Sequence, residues 1–205
     1  MSHRIATGTA LVAAAVLLGF AVMAGWLIWF DVPVMHALAL TEASPRWLIA
    51  TTQFVTELGD VDPRSGFVIL VCILLIARHC WRSAVVYLVT ASVSIMGHTW
   101  AKVAYGRERP RLTPWFDQAG DLSFPSGHAA GSMVVLLAAA LLMRESWLRW
   151  PALGLALAIA LSRPMLGVHW PTDVIGGALW GAGFALIGAG VAGALGLPKA
   201  RMLEG

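Results

Sequence analysis
Six long apolar intervals, each closed by a turn signal or a charge, run through the chain. The first extends from Ile5 to Phe30 behind a basic start at His3 and Arg4. Its end carries Trp26 and Trp29, side chains suited to the boundary between hydrocarbon and water. The apolar stretch is longer than that of a secretory signal and has no small-x-small cleavage site, so an uncleaved first span is expected. The second, Ser65 to Ala77, is shorter than the ~20 residues a span needs and must borrow from Gly59 onward, leaving Arg64 to snorkel toward water. The third covers Ser83 to Ala101, the fourth Gly127 to Met143, the fifth Trp150 to Leu161 and the sixth Val174 to Leu197. From Asp31 to Arg64 the pattern is mixed, with Pro33, Pro45 and a turn at Glu57-Leu58-Gly59-Asp60. Within it Trp47, Leu48, Thr51, Phe54, Val55 and Leu58 recur at three- and four-residue steps, the spacing of an amphipathic helix lying on a membrane surface. The pattern therefore predicts an all-α protein in which residues 1–205 form one domain. That domain is a six-span transmembrane helix bundle with a surface amphipathic helix between spans one and two.

Composition agrees with this reading. Hydrophobic residues make up 59% of the chain and charged residues 12%, against roughly 25% charged in a soluble domain. With Arg4 inside, Arg78, Arg82, Arg144, Arg149, Lys199 and Arg201 all fall on the cytoplasmic side. Arg46, Arg64, Lys102, Arg107, Arg109, Arg111 and Arg163 fall on the outer side. The two sets balance, and the positive-inside rule decides the orientation once the candidate site cations are set aside. Cys72 lies in an apolar span and Cys80 on the reducing side, so neither a disulfide nor a metal site is inferred. Gly177 and Gly181, with Gly176, Gly183, Gly188, Gly190 and Gly193, line the last span with small residues. Such a stripe permits close helix packing inside the bundle, the favoured use, or between subunits of a homo-oligomer.

Polar chemistry is concentrated in three stretches, each adjoining a span on the predicted outer side. Ser162-Arg163-Pro164-Met165-Leu166-Gly167-Val168-His169-Trp170-Pro171-Thr172-Asp173 places a cation, an imidazole and a carboxylate at one membrane level, a costly arrangement that calls for a functional reason. Pro171 favours a helix start, so His169 and Asp173 meet at its entrance. A carboxylate on one ring nitrogen fixes the tautomer and orients the other as base or nucleophile. An isolated His-x3-Asp more often caps a helix end, and the remaining stretches change that balance. Lys102-Val103-Ala104-Tyr105-Gly106-Arg107-Glu108-Arg109-Pro110-Arg111 suits either an anion clamp or a face meeting lipid headgroups. Ser123-Phe124-Pro125-Ser126-Gly127-His128 precedes the fourth span, where a helix N-terminus offers unpaired N–H groups to an anion. Together the stretches supply cations, an anion cradle and two histidines, which is equipment for phosphoryl transfer. The few nearby carboxylates do not make a magnesium site.

In these residues the sequence resembles the type 2 phosphatidic acid phosphatase (PAP2) superfamily. Its signature, Lys-x6-Arg-Pro, Pro-Ser-Gly-His and Ser-Arg-x5-His-x3-Asp, is matched by Lys102 with Arg109-Pro110, by Pro125-Ser126-Gly127-His128, and by Ser162-Arg163 with His169 and Asp173. The resemblance implies a metal-independent phosphatase, without a cofactor, acting on lipid phosphates. It implies that His169 is the nucleophile and forms a phosphohistidine, Asp173 orients it, and His128 protonates the leaving alcohol. Lys102, Arg109, Ser126, Gly127 and Arg163 would hold the phosphoryl oxygens. His98 lies outside the motifs and reads as a polar residue of the third span.

The expected partner is a lipid phosphate within the membrane, with no role for nucleic acid. Phosphatidic acid, phosphatidylglycerol phosphate and undecaprenyl diphosphate all present phosphate at the same depth. Arg107 and Arg111 flank Arg109 outside the motif and suit either general attraction to headgroups or a second substrate phosphate. Two other readings are a vanadate-dependent haloperoxidase and a non-catalytic lipid-binding or transport protein. The short chain and bare loops suggest a bacterial inner-membrane protein with its site on the periplasmic side.

Overall fold
A computed structural model describes residues 2–120 and 122–200, so Arg201 of the predicted basic tail lies outside the described residues. The described residues form eight α-helices and one short 3-10 turn, without strands. They are α1 (Ser2–Met23), α2 (Ile28–Leu38), α3 (Arg46–Glu57), α4 (Val61–Ala77), α5 (Trp81–Tyr105), α6 (Gly127–Leu142), α7 (Arg149–Met165) and α8 (Pro171–Ala194).

Three helices among the described residues are long and apolar enough to cross a membrane: His3–Met23, Trp81–Tyr105 and Pro171–Ala194. Helices α4, α6 and α7 have 17, 16 and 17 residues. At 1.5 Å per residue each is about 25 Å long, short of the ~30 Å hydrocarbon core.

The first apolar interval does not continue to Phe30. It breaks after Met23 at a turn where Gly25 takes φ +73°, and α2 begins at Ile28, within that interval, and runs on to Leu38 through a region whose mixed pattern announced no helix. The reason is Asp31, which is fully buried and draws α2 into the bundle by its bonds to other elements. The fifth interval also runs further than expected, so Arg163 and Pro164 belong to the last turn of α7. Arg64 does not snorkel outward. It turns inward, and its Nη1 donates to the Gly59 carbonyl at 3.1 Å and the Gly127 carbonyl at 3.5 Å. Helix α3 presents Thr52 and Thr56 to the protein and packs Leu48 and Ile49 against Leu40, Leu166 and Val168, while Trp47 and Phe54, with Leu58 just past its end, stay exposed.

Helix α8 is the centre of the packing, lying against α1, α5 and α6. A Cβ on Gly177 would come within 2.5 Å of the Ser126 carbonyl oxygen, so glycine there permits the close crossing that sets the start of α6 beside the start of α8. Gly183 meets Gly8 of α1 and Gly188 meets Thr90 of α5, so glycines of the stripe make contacts within the chain. Alternating helix directions bring the ends of α5 and α7 to the starts of α4, α6 and α8, and the polar stretches gather at that one end of the bundle. The opposite end joins Arg144 to Ala200 and Ser83 to Pro198 by hydrogen bonds.

Candidate active site
His169, His128, Lys102, Arg109, Arg163 and Gly127 line one cavity of about 430 Å³. The sequence places them far apart, and three local devices bring them together. Lys102 sits in the last turn of α5, which Gly106 ends with φ +60°. Ser126 is the N-cap of α6 and accepts from the Ala129 N–H, so Gly127 and His128 open the helix. Gly167, at φ +83°, turns the chain between Arg163 and His169; a Cβ there would also meet the Pro114 carbonyl at 2.4 Å.

The Nδ1 of His169 lies 3.3 Å from Oδ2 of Asp173. A carboxylate only accepts, so Nδ1 carries the hydrogen and Nε2 the lone pair. His169 is only 1% exposed. The pair is thus walled off from bulk water, which strengthens its electrostatics. Asp173 is fully buried and saturated with donors. Arg107 Nη1 donates to Oδ1 at 2.6 Å, the Trp170 N–H to Oδ2 at 2.9 Å, and the Ser123 hydroxyl also to Oδ2.

Both arms of the Arg107 guanidinium are bonded within the protein. While one arm of its guanidinium holds Asp173, Nη2 donates to Oδ2 of Asp31 at 2.6 Å. Asp31 also accepts from the backbone and hydroxyl of Thr172 at 2.9 and 2.7 Å. The planar fork of arginine thereby ties α2 to the first turn of α8, where Asp173 stands. Arg111 remains exposed.

The cations that face the cavity are anchored by oxygen atoms of the protein. Lys102 Nζ donates to the Leu122 carbonyl at 2.5 Å and Arg109 Nη1 to the Val168 carbonyl at 2.7 Å. Arg163 donates through Nη1 to Thr56 at 2.6 Å and to Asp117 at 2.5 Å, while its buried Nε has no partner among the described residues. The Asp117 carboxylate thus holds one position on Arg163 that an anionic oxygen would take. Ser126 and Asp173 stand behind the cavity wall.

A family model described as the PAP2 superfamily matches residues 80–194, a range that holds all three polar stretches. The chain belongs to the PAP2 superfamily. This PAP2 protein is 33% identical over 159 residues to a decaprenylphosphoryl-5-phosphoribose phosphatase of Mycobacterium tuberculosis, covering 74% of this chain and 85% of that one. It is 35% identical over 97 residues to a lipid A 1-phosphatase of Rhizobium etli, covering 43% of this chain and 41% of that one, so it spans less than half of that relative's length. Its fold matches the crystal structure of a transmembrane PAP2 type phosphatidylglycerolphosphate phosphatase from Bacillus subtilis with a TM-score of 0.83 at 21% identity, covering 92% and 97% of the two chains.

Several residues of the PAP2 site lie outside the motifs. His98 lines the cavity and donates from Nδ1 to the Ser94 carbonyl at 3.2 Å. It stands one turn before Lys102 on the same face of α5, a spacing legible in the sequence. Asp60 contacts His128, and Arg64 also lines the cavity. Asp31 carried a signal too, being an acid directly after an apolar span. Ser123 opens one of the three polar stretches but no role was read for it, and Thr56 and Asp117 carried no signal, because all three contacts depend on how distant elements meet.

Proposed function
We propose that this chain is a membrane-embedded phosphatase that removes phosphate from a lipid phosphate or diphosphate. The observation that carries the reading is His169, held from behind by Asp173 and facing the same cavity as Lys102, Arg109, Arg163 and His128. The Nε2 of His169 attacks phosphorus in line with the departing oxygen and forms a phosphohistidine. The three cations, with the backbone at Gly127, stabilise the charge on the phosphoryl oxygens, whereas the Ser126 N–H, expected from the motif to join them, is taken by the Asp173 carbonyl at 3.0 Å. His128 protonates the leaving alcohol, and water then releases phosphate. Phosphate release from purified protein in detergent, measured over phosphatidic acid, phosphatidylglycerol phosphate, undecaprenyl diphosphate and a lipid A phosphate, tests the activity and assigns the anchor. Release from none of them overturns the proposal.

In this reading α1, α4, α5, α6, α7 and α8 cross the bilayer as six spans, with α3 at its outer surface. Support comes from the exposed tryptophans. Trp26, Trp29 and Trp47 lie at the cavity end, and Trp81, Trp147 and Trp150 at the other, like two interfacial belts. Between them the shorter α4 still turns Ile69, Leu70, Ile73 and Ile76 outward. The cavity then opens on the periplasmic side of a bacterial inner membrane. Cysteine labelling at exposed positions of the two ends tests the orientation.

Two results follow from the assigned roles. His128→Ala slows alkyl phosphate hydrolysis by about 10²- to 10⁴-fold, the usual worth of a general acid. It slows p-nitrophenyl phosphate less, because that leaving group departs without protonation. Equal losses on both substrates would show that His128 binds the phosphoryl group instead. Activity survives EDTA, because Lys102, Arg109 and Arg163 supply the positive charge at phosphorus. Loss on chelation that is restored by Mg²⁺ would contradict that role.

A further inference from the structure
Asp60 stands in the turn between α3 and α4, and its Oδ1 lies 2.9 Å from Nε2 of His128. At that distance a hydrogen must lie between the two atoms, since facing lone pairs repel. The contact is built by its surroundings. Arg64 bonds both the Gly59 and the Gly127 carbonyls, stapling the turn to the start of α6. The turn is also pressed against the ring, because a Cβ on Gly59 would come within 2.8 Å of His128 Cδ2 and 2.4 Å of Ile159 Cγ2. Asp60 makes no side-chain cap to α4, so its carboxylate is not committed to the helix it precedes.

The electrostatic setting gives this contact a task. His128 lines the same cavity as the guanidinium groups of Arg163, Arg64 and Arg109, and cations gathered in one cavity disfavour a further positive charge among them. A general acid must nevertheless hold its proton when substrate arrives. We propose that Asp60 is a positioning residue for that acid, holding the ring of His128 and the proton on its Nε2 until the leaving oxygen takes it. The inference rests on the phosphatase reading above. In the first step the His169 lone pair forms the N–P bond, and the P–O bond breaks with its electron pair on the alcohol oxygen. That oxygen takes the proton from His128. In the second step water attacks phosphorus and returns a proton to His128, and the N–P pair goes back to His169. Asp60 ends each turnover with the proton count it began with. Its own surroundings are Asp117, Arg163, Glu57 and Arg64, and burial together with the Asp117 carboxylate raises its carboxyl above the ordinary value. The carboxylate that supports the acid is therefore lost at higher pH than an exposed aspartate would be, as pH falls.

The experiment compares wild type, His169→Ala, His128→Ala, Asp60→Asn, Asp60→Glu and the double variant Asp60→Asn/His128→Ala on an alkyl lipid phosphate and on p-nitrophenyl phosphate. Asp60→Asn lowers kcat on the alkyl substrate about 10- to 100-fold, part of the worth of a general acid, and on p-nitrophenyl phosphate much less. The alkaline limb of its kcat profile moves to lower pH, because removing an anion leaves the surrounding cations unopposed. Asp60→Glu restores part of the rate, and the double variant is no slower than His128→Ala. Equal losses on both substrates with an unmoved pH limb, or losses that multiply in the double variant, overturn the role of Asp60 while leaving the phosphatase reading intact. A wild type that releases no phosphate, or a His169→Ala variant that still does, overturns both.

Discussion
His169→Ala lowers phosphate release by about 10⁴-fold or more, the scale on which loss of the acting member of a catalytic unit lowers kcat. The variant removes the ring nitrogen to which the proposed reaction assigns the attack on phosphorus, the one left open because Asp173 holds His169 by Nδ1, whereas Asp60 meets His128 at Nε2. Because His169 is buried, the substitution leaves a gap and three remaining donors on Asp173. Those donors keep the carboxylate paired, so the fold survives, and an unchanged thermal transition in detergent separates lost chemistry from lost structure. An acid-labile phosphoenzyme trapped from wild type is absent from the variant. Near-normal turnover in a folded His169→Ala protein would remove His169 as the nucleophile.

Arg107→Gln has the second largest effect. It takes the cation from between two buried carboxylates, Asp31 and Asp173, and breaking such a pair costs about 3–5 kcal/mol. Turnover falls about 10²-fold or more, short of the ~10⁴-fold that loss of an orienting carboxylate itself can cost. Arg107→Lys recovers little, since a single ammonium lacks the planar fork that reaches Asp31, Thr172 and Asp173 together. The loss is the same for monophosphate and diphosphate lipids and persists at high salt, because the network is screened by protein and not by ions. A loss confined to diphosphates, or one that high salt abolishes, would instead return Arg107 to the substrate or the headgroups. Arg111, exposed beside it, is the residue to test for those roles.

Much of this protein was legible without coordinates. Apolar length and the scarcity of charge identify membrane helices, because a bilayer accepts few other sequences. The spacings Lys102 to Arg109, Pro125 to His128 and Arg163 to Asp173 are local and carry the chemistry of the cavity in themselves. The His169–Asp173 pair follows from one turn of helix geometry behind Pro171. Tertiary structure decided what lies between elements. The break after Met23 and the burial of Asp31 depend on Arg107 arriving from the end of α5. Asp60 reads as an ordinary turn residue until α4 and α6 are packed side by side by Arg64. Arg163 reads as a phosphate ligand, and only the fold shows Thr56 and Asp117 already bonded to it. Periodicity and motif spacing report on neighbours within a turn or two, whereas an ion pair such as Arg163–Asp117 or Arg107–Asp31 joins residues 46 or 76 positions apart and has no local trace. Its cost in low dielectric is repaid only once the partners meet, so the helix packing, not the pattern along the chain, determines which charges pair.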